Sequence, residues 1–155
     1  MTLTEPSIQD LTLNVTQQIY IDAPAEAAFA ALLEELGPEN QGLDGTPMPM
    51  KLEPWPGGRW FRDLSGGDGH FWGHVQAIKK HSLLEISGPL FMSYPVVSHV
   101  QYRLSEERGG TSIQFHHAAF GLVQKQHKER VNEGWSRIHE RVRTRAERGQ
   151  KARSK

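Results

Sequence analysis

Hydrophobic and polar positions alternate along much of the chain, and a period of two indicates β-strands. The first alternating run covers residues 13–21, whose apolar members of one parity are Leu13, Val15, Ile19 and Ile21. Five further runs lie between about residues 50 and 120 and read GGRWFRDL, GDGHFWGHVQAI, SLLEISG, VVSHVQYRLSE and TSIQFHHAAF. Gly-rich and polar segments between them are typical of turns in an antiparallel sheet.

The last two runs are joined by Arg108 and Gly109, which predict a two-residue hairpin. This turn fixes the register, so that His117 faces Val100 and Phe115 faces Tyr102. Parity assigns one face of the sheet to the apolar positions Leu84, Ile86, Val100, Tyr102, Leu104, Ile113, Phe115 and His117. In GHFWGHVQA the same rule predicts that Phe71, Gly73, Val75 and Ala77 face inward and that His70, Trp72, His74 and Gln76 face outward.

The period changes at both ends of this β-rich region. After the first strand, Asp22 is a candidate N-cap and Pro24 lies just inside the start of an Ala/Leu/Glu-rich helix that stops at Gly37. A Gly- and Pro-rich loop follows over residues 38–49. Near the C-terminus one apolar stripe with helical spacing comprises Val131, Trp135, Ile138 and Val142.

This order of elements predicts an α+β fold. A curved antiparallel sheet must bury its apolar face, and the long C-terminal helix is the one element large enough to cover it. We expect one or two short helices after the first strand and a cavity between sheet and long helix. The 155 residues predict a single domain over 1–155, with a core at about 13–146, a flexible N-terminal end and a basic C-terminal end.

Composition narrows the possible functions. Lys plus Arg and Asp plus Glu both number 18, so the basic excess typical of nucleic-acid binders is missing. The sequence contains no Cys, which excludes disulfides and zinc sites built on Cys. The first residues lack a secretory signal and no run is long enough to span a membrane, so we expect a cytoplasmic protein that contacts neither membrane nor nucleic acid.

Several motifs, in order, resemble one known family. IYIDAPAEAAFAAL resembles the first strand and helix of START-like (SRPBCC) domains. PGGRW, GHVQAIKKHSLLEISG, GGTSIQFHHAAFG and EGWSRIHERV resemble the branch similar to the C-terminal domain of the heat-shock-protein-90 ATPase activator. The resemblance covers roughly residues 15–145. It implies a helix-grip fold, in which a curved antiparallel sheet wraps around a long C-terminal helix and encloses a hydrophobic pocket.

Two histidines in one strand, His70 and His74, raise the question of a metal site, an acid/base pair or a cavity wall. Four residues of strand span roughly 13 Å, so the pair cannot hold one ion without help. We therefore interpret both as half-exposed strand residues and expect neither metal nor cofactor. His117 is different, because its parity points inward; we interpret it as a core histidine or as a polar anchor for a ligand, and Tyr102 as an alternative anchor.

The candidate ligand-binding residues are those expected to line the cavity, and no residue is assigned as catalytic. The set comprises Trp60, Phe71, Val75, Ile86, Phe91, Tyr94, Val100, Tyr102, Phe115, His117, Val131, Trp135 and Ile138. Phe91 and Tyr94 belong to a loop at residues 88–97 that is either a lid, a partner contact or a cover for the core end.

Three functions remain open from the sequence. The first is non-enzymatic binding of a small apolar or aromatic molecule by a monomer or homodimer. The second is an enzyme of the cyclase or dehydratase kind, which needs an inward acid/base pair; Glu85 and Glu106 point outward by parity. The third is a co-chaperone or protein-interaction module acting through the 88–97 loop and the basic C-terminal run.

Overall fold

Seven strands form one antiparallel sheet that is covered by two helices in this computed structural model, which describes residue 5 and residues 7–153. In chain order the elements are β1 (Thr12–Ile21), α1 (Ala25–Leu36), β2 (Lys51–Leu52), β3 (Arg59–Asp63), β4 (Gly69–Lys79), β5 (Leu83–Gly88), β6 (Val96–Glu107), β7 (Gly110–Gly121) and α2 (Lys125–Arg153). The strand order is β1-β7-β6-β5-β4-β3-β2. The predicted α+β helix-grip architecture is confirmed.

One helix, not two, follows β1. Pro24, not the predicted Asp22, occupies the N-cap of α1, so the helix begins two residues later than predicted; the Pro24 carbonyl accepts the Ala28 N–H at 2.9 Å. The helix ends at Gly37, whose N–H donates to the Leu33 carbonyl at 2.9 Å. Residues 38–50 hold turns and a single bridge between Gln41 and Pro47. The closely spaced Pro and Gly residues of this loop leave no run long enough for a second helix.

The β6–β7 hairpin has the predicted register. Val100 pairs with His117, and Tyr102 pairs with Phe115. Arg108 and Gly109 have φ angles of 53° and 80°, as a type I′ turn requires at both central positions. The turn therefore sets the face to which every residue of these two long strands points.

The predicted faces of β4 are wrong at residues 70–72 and at Ala77, and two β-bulges explain the errors. The second bulge lies between Val75 and Ala77, so that Ala77 pairs with outward-facing Glu85 and Ile78 packs against the core instead. At the first bulge, Phe61 pairs with Phe71 and Trp60 pairs with Gly73, so Trp72 is an extra residue in β4. An inserted residue shifts the alternation by one. Trp72 is consequently buried, at 7% exposure, and Phe71 is 40% exposed on the other face, where its ring contacts His74. Phe71 is therefore withdrawn from the cavity-lining set.

Helix α2 packs its apolar stripe against the sheet. Val131, Trp135 and Val142 are buried, as predicted, and Ile138 is partly buried against the same core. Regular structure extends beyond the predicted core at both ends, with a short 3-10 helix over Ile8–Leu11 and α2 continuing to Arg153. The rest of the ends predicted to be flexible or basic, residues 1–4, 6, 154 and 155, lies outside the described residues. Across the described part of the chain, no helix combines the length and apolar character needed to cross a membrane.

Candidate functional site

The space directly between the sheet and α2 is filled by side chains. Trp135 donates its indole N–H to His117 Nδ1 at 3.0 Å, and His117 Nε2 donates to Ser98 Oγ at 3.0 Å. Burial lowers the pKa of His117 to about 4, with a smaller effect from His116. His117 is thus a neutral core histidine whose two nitrogens both have protein partners, which agrees with the first of its two interpretations, and its role as a ligand anchor stays a prediction.

Tyr102 is engaged in a second buried chain of hydrogen bonds. His139 Nδ1 lies 2.6 Å from Gln17 Oε1, an acceptor, so the ring proton is on Nδ1 and Nε2 accepts from the Tyr102 hydroxyl at 3.0 Å. The Gln17 amide donates onward to the Asn132 carbonyl at 2.9 Å. Burial raises the pKa of Tyr102 and lowers that of His139 to about 3.

His139 was missed by the sequence interpretation, although a signal was available. It follows Trp135 by four residues and precedes Val142 by three, so it lies on the inward stripe of α2. Its ring stacks on Trp135 with centroids 6.0 Å apart and meets Phe115 edge-on at 4.5 Å. A polar residue in an apolar helical stripe predicts a buried partner, which here is Tyr102.

A pocket of about 290 Å³ lies beside this filled core, between α2, the 40–48 loop and the bulged end of β4. Its apolar wall is formed by Leu43, Met48, Trp72, Phe91, Val131, Trp135 and Ile138. Four of the candidate residues therefore line it, namely Phe91, Val131, Trp135 and Ile138. Trp72 reaches the wall because of the β-bulge, a feature that the alternation of β4 does not reveal.

The other candidates lie elsewhere in the core. Trp60, Val75, Ile86, Val100 and Phe115 are buried in the hydrophobic core, outside the pocket wall. Trp60 contacts the pocket wall, because its ring meets Trp72 edge-on with centroids 4.9 Å apart. Its indole N–H donates to the Leu36 carbonyl. Phe115 likewise contacts a wall residue, Trp135, with ring centroids 4.8 Å apart.

The 88–97 loop folds over the end of the core. Leu90 and Met92 are buried, and the Leu90 N–H donates to the Trp72 carbonyl at 2.8 Å. Phe91 packs between Trp72 and His127, with ring centroids 5.9 and 6.2 Å away. Tyr94 lies just behind His127, and its hydroxyl is hydrogen-bonded to His127 Nδ1 at 2.7 Å. The loop thus supplies one wall of the pocket.

The polar part of the pocket was not foreseen. Asn40 and Gln41 come from the loop after α1, and Arg130, Arg137 and Arg141 come from α2. The three arginines are spaced by seven and four residues, which places them on one helix face, but a sequence rich in Lys and Arg offers many such spacings. Asn40 carries no sequence signal, since its position depends on the loop conformation.

The two histidines of β4 have separate partners. His70 Nδ1 accepts the indole N–H of Trp72 at 3.0 Å, whereas His74 Nδ1 lies 3.1 Å from the Gly57 carbonyl. Over residues 5 and 7–153, no group of three or more His, Asp or Glu side chains is placed to hold a metal ion.

Solved structures of other proteins share this fold. MLL2253 from Mesorhizobium loti is 21% identical, with a TM-score of 0.67 over 87% of this chain and 97% of that one. CalU16 from Micromonospora echinospora is 23% identical, with a TM-score of 0.58 over 87% and 75%. The di-domain ARO/CYC StfQ from the steffimycin biosynthetic pathway is 11% identical, with a TM-score of 0.66 over 92% and 54%. At these identities the similarity shows the fold alone.

A comparison with curated proteins finds no match. The family model for "Activator of Hsp90 ATPase homolog 1-like protein" matches residues 22–147, from the end of β1 to the last turns of α2. That range includes the whole pocket wall and, apart from Ile19, Tyr20 and Ile21, the motifs from which the resemblance was inferred. The chain therefore belongs to the family of Activator of Hsp90 ATPase homolog 1-like proteins, a branch of the START-like superfamily.

Proposed function

We propose that the protein binds a small apolar or aromatic molecule in the pocket beside α2 and does not alter it chemically. The observation that carries this proposal is a concave wall of three aromatic rings, Trp72, Phe91 and Trp135, next to a core that is otherwise filled. Ligand sites are concave, mostly apolar and largely preformed, with few polar groups. The pocket has this composition.

The size of the pocket limits the ligand. A volume of about 290 Å³ lies at the lower end of the range for small-molecule sites, roughly 300–1,000 Å³. Its rim includes exposed Leu43, so a molecule can enter from solvent without the sheet or α2 separating. A compact molecule of up to about three aromatic rings fits these limits.

The fold similarities are compatible with this proposal and do not identify the ligand. StfQ belongs to a biosynthetic pathway, and DynU16, 14% identical, comes from the dynemicin biosynthetic locus. Both resemble the chain in fold only, so the proposal depends on the pocket of this protein.

N-phenyl-1-naphthylamine, a neutral probe that fluoresces in apolar surroundings, tests the proposal. We expect saturable binding to the wild type, and loss of at least about tenfold in affinity with Gly134→Phe, since about 1.4 kcal/mol corresponds to tenfold. Gly134 lines the pocket, and a Cβ there would lie 3.6 Å from Leu43 Cδ2, an ordinary contact. A phenyl ring on that Cβ would occupy the volume that the probe needs.

Two matched variants are the controls. Gly134→Ala adds only the Cβ, and Gly149→Ala makes the same change on α2 where no atom lies within 4 Å. Both should bind the probe as the wild type does. Equal affinity of Gly134→Phe and Gly134→Ala would exclude this pocket, and no saturable binding to the wild type would contradict the proposal.

A cyclase- or dehydratase-like enzyme is the second candidate, and one observation favours it. His127 lines the pocket, its Nδ1 is hydrogen-bonded to the Tyr94 hydroxyl, and its Nε2 has no hydrogen-bond partner among residues 5 and 7–153. In the tautomer in which Nδ1 accepts from Tyr94, Nε2 carries the proton and could act as a general acid; in the other tautomer it could act as a general base. Loss of water from an aromatic β-hydroxy ketone, followed by mass spectrometry and abolished by His127→Asn with probe binding intact, would support this candidate over simple binding.

A further inference from the structure

Two N–H donors beside the pocket have no acceptor among the residues that the structure describes. They are Asn40 Nδ2 and Arg141 Nη2, both buried. Asn40 is only 2% exposed, and both residues belong to the pocket wall. Buried polar groups are nearly always hydrogen-bonded, so two unpartnered donors in one wall point to an acceptor that a bound molecule supplies, and this acceptor reaches the two closed-off atoms when neighbouring side chains of the wall shift.

The orientation of the Asn40 amide is fixed by the backbone. Its Oδ1 accepts the Gln41 N–H at 2.7 Å, an interaction that the NH₂ group could not make. Nδ2 is therefore the free end of the amide, and it can only donate. An amide so held selects an oxygen acceptor and repels a donor.

Arg141 is held by an ion pair that leaves part of its guanidinium group free. Its Nε donates to Glu35 Oε2 at 3.0 Å, and Glu35 Oε1 is taken by Arg145 Nε at 3.0 Å. Glu35 is 3% exposed and is shared between two guanidinium groups. The carboxylate therefore orients Arg141 without using its Nη2.

The charge of the pocket wall has one sign. Arg130, Arg137 and Arg141 line it, and no Asp or Glu does. Arg137 pairs with Glu133 at 2.8 Å, whereas Arg130 has no ion-pair partner within the described part of the chain. Because Glu133 balances Arg137 and Glu35 balances Arg141, the uncompensated positive charge of the wall is that of Arg130, and it favours an anionic ligand.

We infer that the ligand of the proposed pocket is an aromatic or aliphatic carboxylate, whose two oxygens are bound by Asn40 Nδ2 and Arg141 Nη2 and whose apolar part lies on Trp72, Phe91 and Trp135. This inference rests on the proposed binding function. A carboxylate matches two donors, because guanidinium and amide N–H groups bind it through charge-assisted hydrogen bonds.

A matched pair of competitors tests the inference. 2-Naphthoate and 2-naphthamide have nearly the same shape, but only the first is an anion at pH 7. In displacement of N-phenyl-1-naphthylamine from the wild type, we expect naphthoate to bind at least about tenfold more tightly than naphthamide, as expected when charge-assisted hydrogen bonds replace neutral ones. Equal affinities would overturn the inference while leaving the binding function intact, and failure of the neutral probe itself to bind would instead contradict the binding function.

Asn40→Asp then locates the selectivity. This change keeps the shape and the acceptor for the Gln41 N–H, removes the Nδ2 donor and adds a negative charge. We expect the preference for naphthoate over naphthamide to disappear when both affinities are determined against the affinity of this variant for the probe. Asn14→Asp, which adds the same charge on β1 outside the pocket wall, should keep the preference. An unchanged preference in Asn40→Asp would overturn the inference, and the wild-type comparison decides it if that variant does not fold.

Discussion

Trp135 on α2 donates its indole N–H to His117 Nδ1 on β7, and this hydrogen bond links the long helix to the centre of the sheet. Beside it, Tyr102 on β6 donates to His139 on α2. The two histidines therefore hold opposite tautomers, with the proton of His117 on Nε2 and that of His139 on Nδ1. The helix is fixed to the sheet by two reciprocal polar contacts inside an apolar core, and both occupy groups that would otherwise be available for ligand chemistry.

Trp135→Phe should lower the free energy of unfolding by about 2–4 kcal/mol, because it leaves a small cavity and an unpaired acceptor on buried His117. Urea denaturation measures the loss. Trp55→Phe is the matched control, since Trp55 is 54% exposed, and its effect should stay within about 0.5 kcal/mol. Equal losses in the two variants would show that the contact with His117 does not stabilise the fold.

The two buried histidines predict a loss of stability in acid. Burial lowers the pKa from 6.5 to about 4 for His117 and to about 3 for His139. Between those values and 6.5 the unfolded chain binds more protons than the folded chain, so the free energy of unfolding falls as the pH falls. From pH 7 to 4.5 each histidine should remove about 2 kcal/mol.

Urea titrations at intervals across that pH range provide the measurement, and His139→Gln provides the comparison. Glutamine does not titrate, so this variant should lose about half of the pH dependence while Gln17 and Tyr102 keep a polar neighbour. If the free energy of unfolding of His139→Gln falls with decreasing pH as steeply as that of the wild type, His139 does not contribute to the pH dependence.

The amino-acid sequence predicts strand pairing well where the alternation of apolar residues and the turn type are sufficient to determine it. The alternation of β6 and β7, together with the Arg108–Gly109 turn, gives the observed pairing of every residue in that hairpin. The rule fails in β4, because the extra residue Trp72 shifts the alternation, and a bulge depends on the partner strand as much as on its own sequence.

The site is harder to predict than the fold, because a residue that faces inward is available to a ligand only if its polar atoms are not already hydrogen-bonded within the protein. Parity places His117 inward correctly, but only the three-dimensional structure shows that Trp135 and Ser98 occupy both of its nitrogens. Conversely, Asn40 lies in a Gly/Pro loop whose sequence does not indicate burial. The part of the apolar wall that α2 supplies was therefore predictable, whereas Trp72, the residues of the 40–48 loop and the polar groups were not.

Glu35 joins α1 to α2 and should be more important than its neighbour Glu34. Glu35→Gln removes the buried charge that balances Arg141 and Arg145, and we expect a loss of about 3 kcal/mol in the free energy of unfolding, as for other broken buried ion pairs. Glu34→Gln makes the same chemical change at an exposed position of the same helix and should cost less than about 0.5 kcal/mol. Similar urea midpoints for the two variants would rule out a structural role for the Glu35 cluster.

The close approach of β4 and β5 at the bulge predicts that Gly88 cannot be replaced. A Cβ on Gly88 would lie 2.4 Å from Gly73 Cα and 2.4 Å from the Trp72 carbonyl oxygen, and both are backbone atoms that cannot rotate away. Gly88→Ala should therefore push the strands apart beside the pocket wall and lower the free energy of unfolding by at least about 2 kcal/mol, as overpacking does. Gly149→Ala on α2 meets no atom within 4 Å and should raise stability by up to about 1 kcal/mol, since Ala favours a helix over Gly. The same substitution should therefore lower the free energy of unfolding at Gly88 and raise it at Gly149. Thermal or urea unfolding measures both changes, and an unchanged free energy for Gly88→Ala would show that β4 and β5 can move apart here without loss of stability.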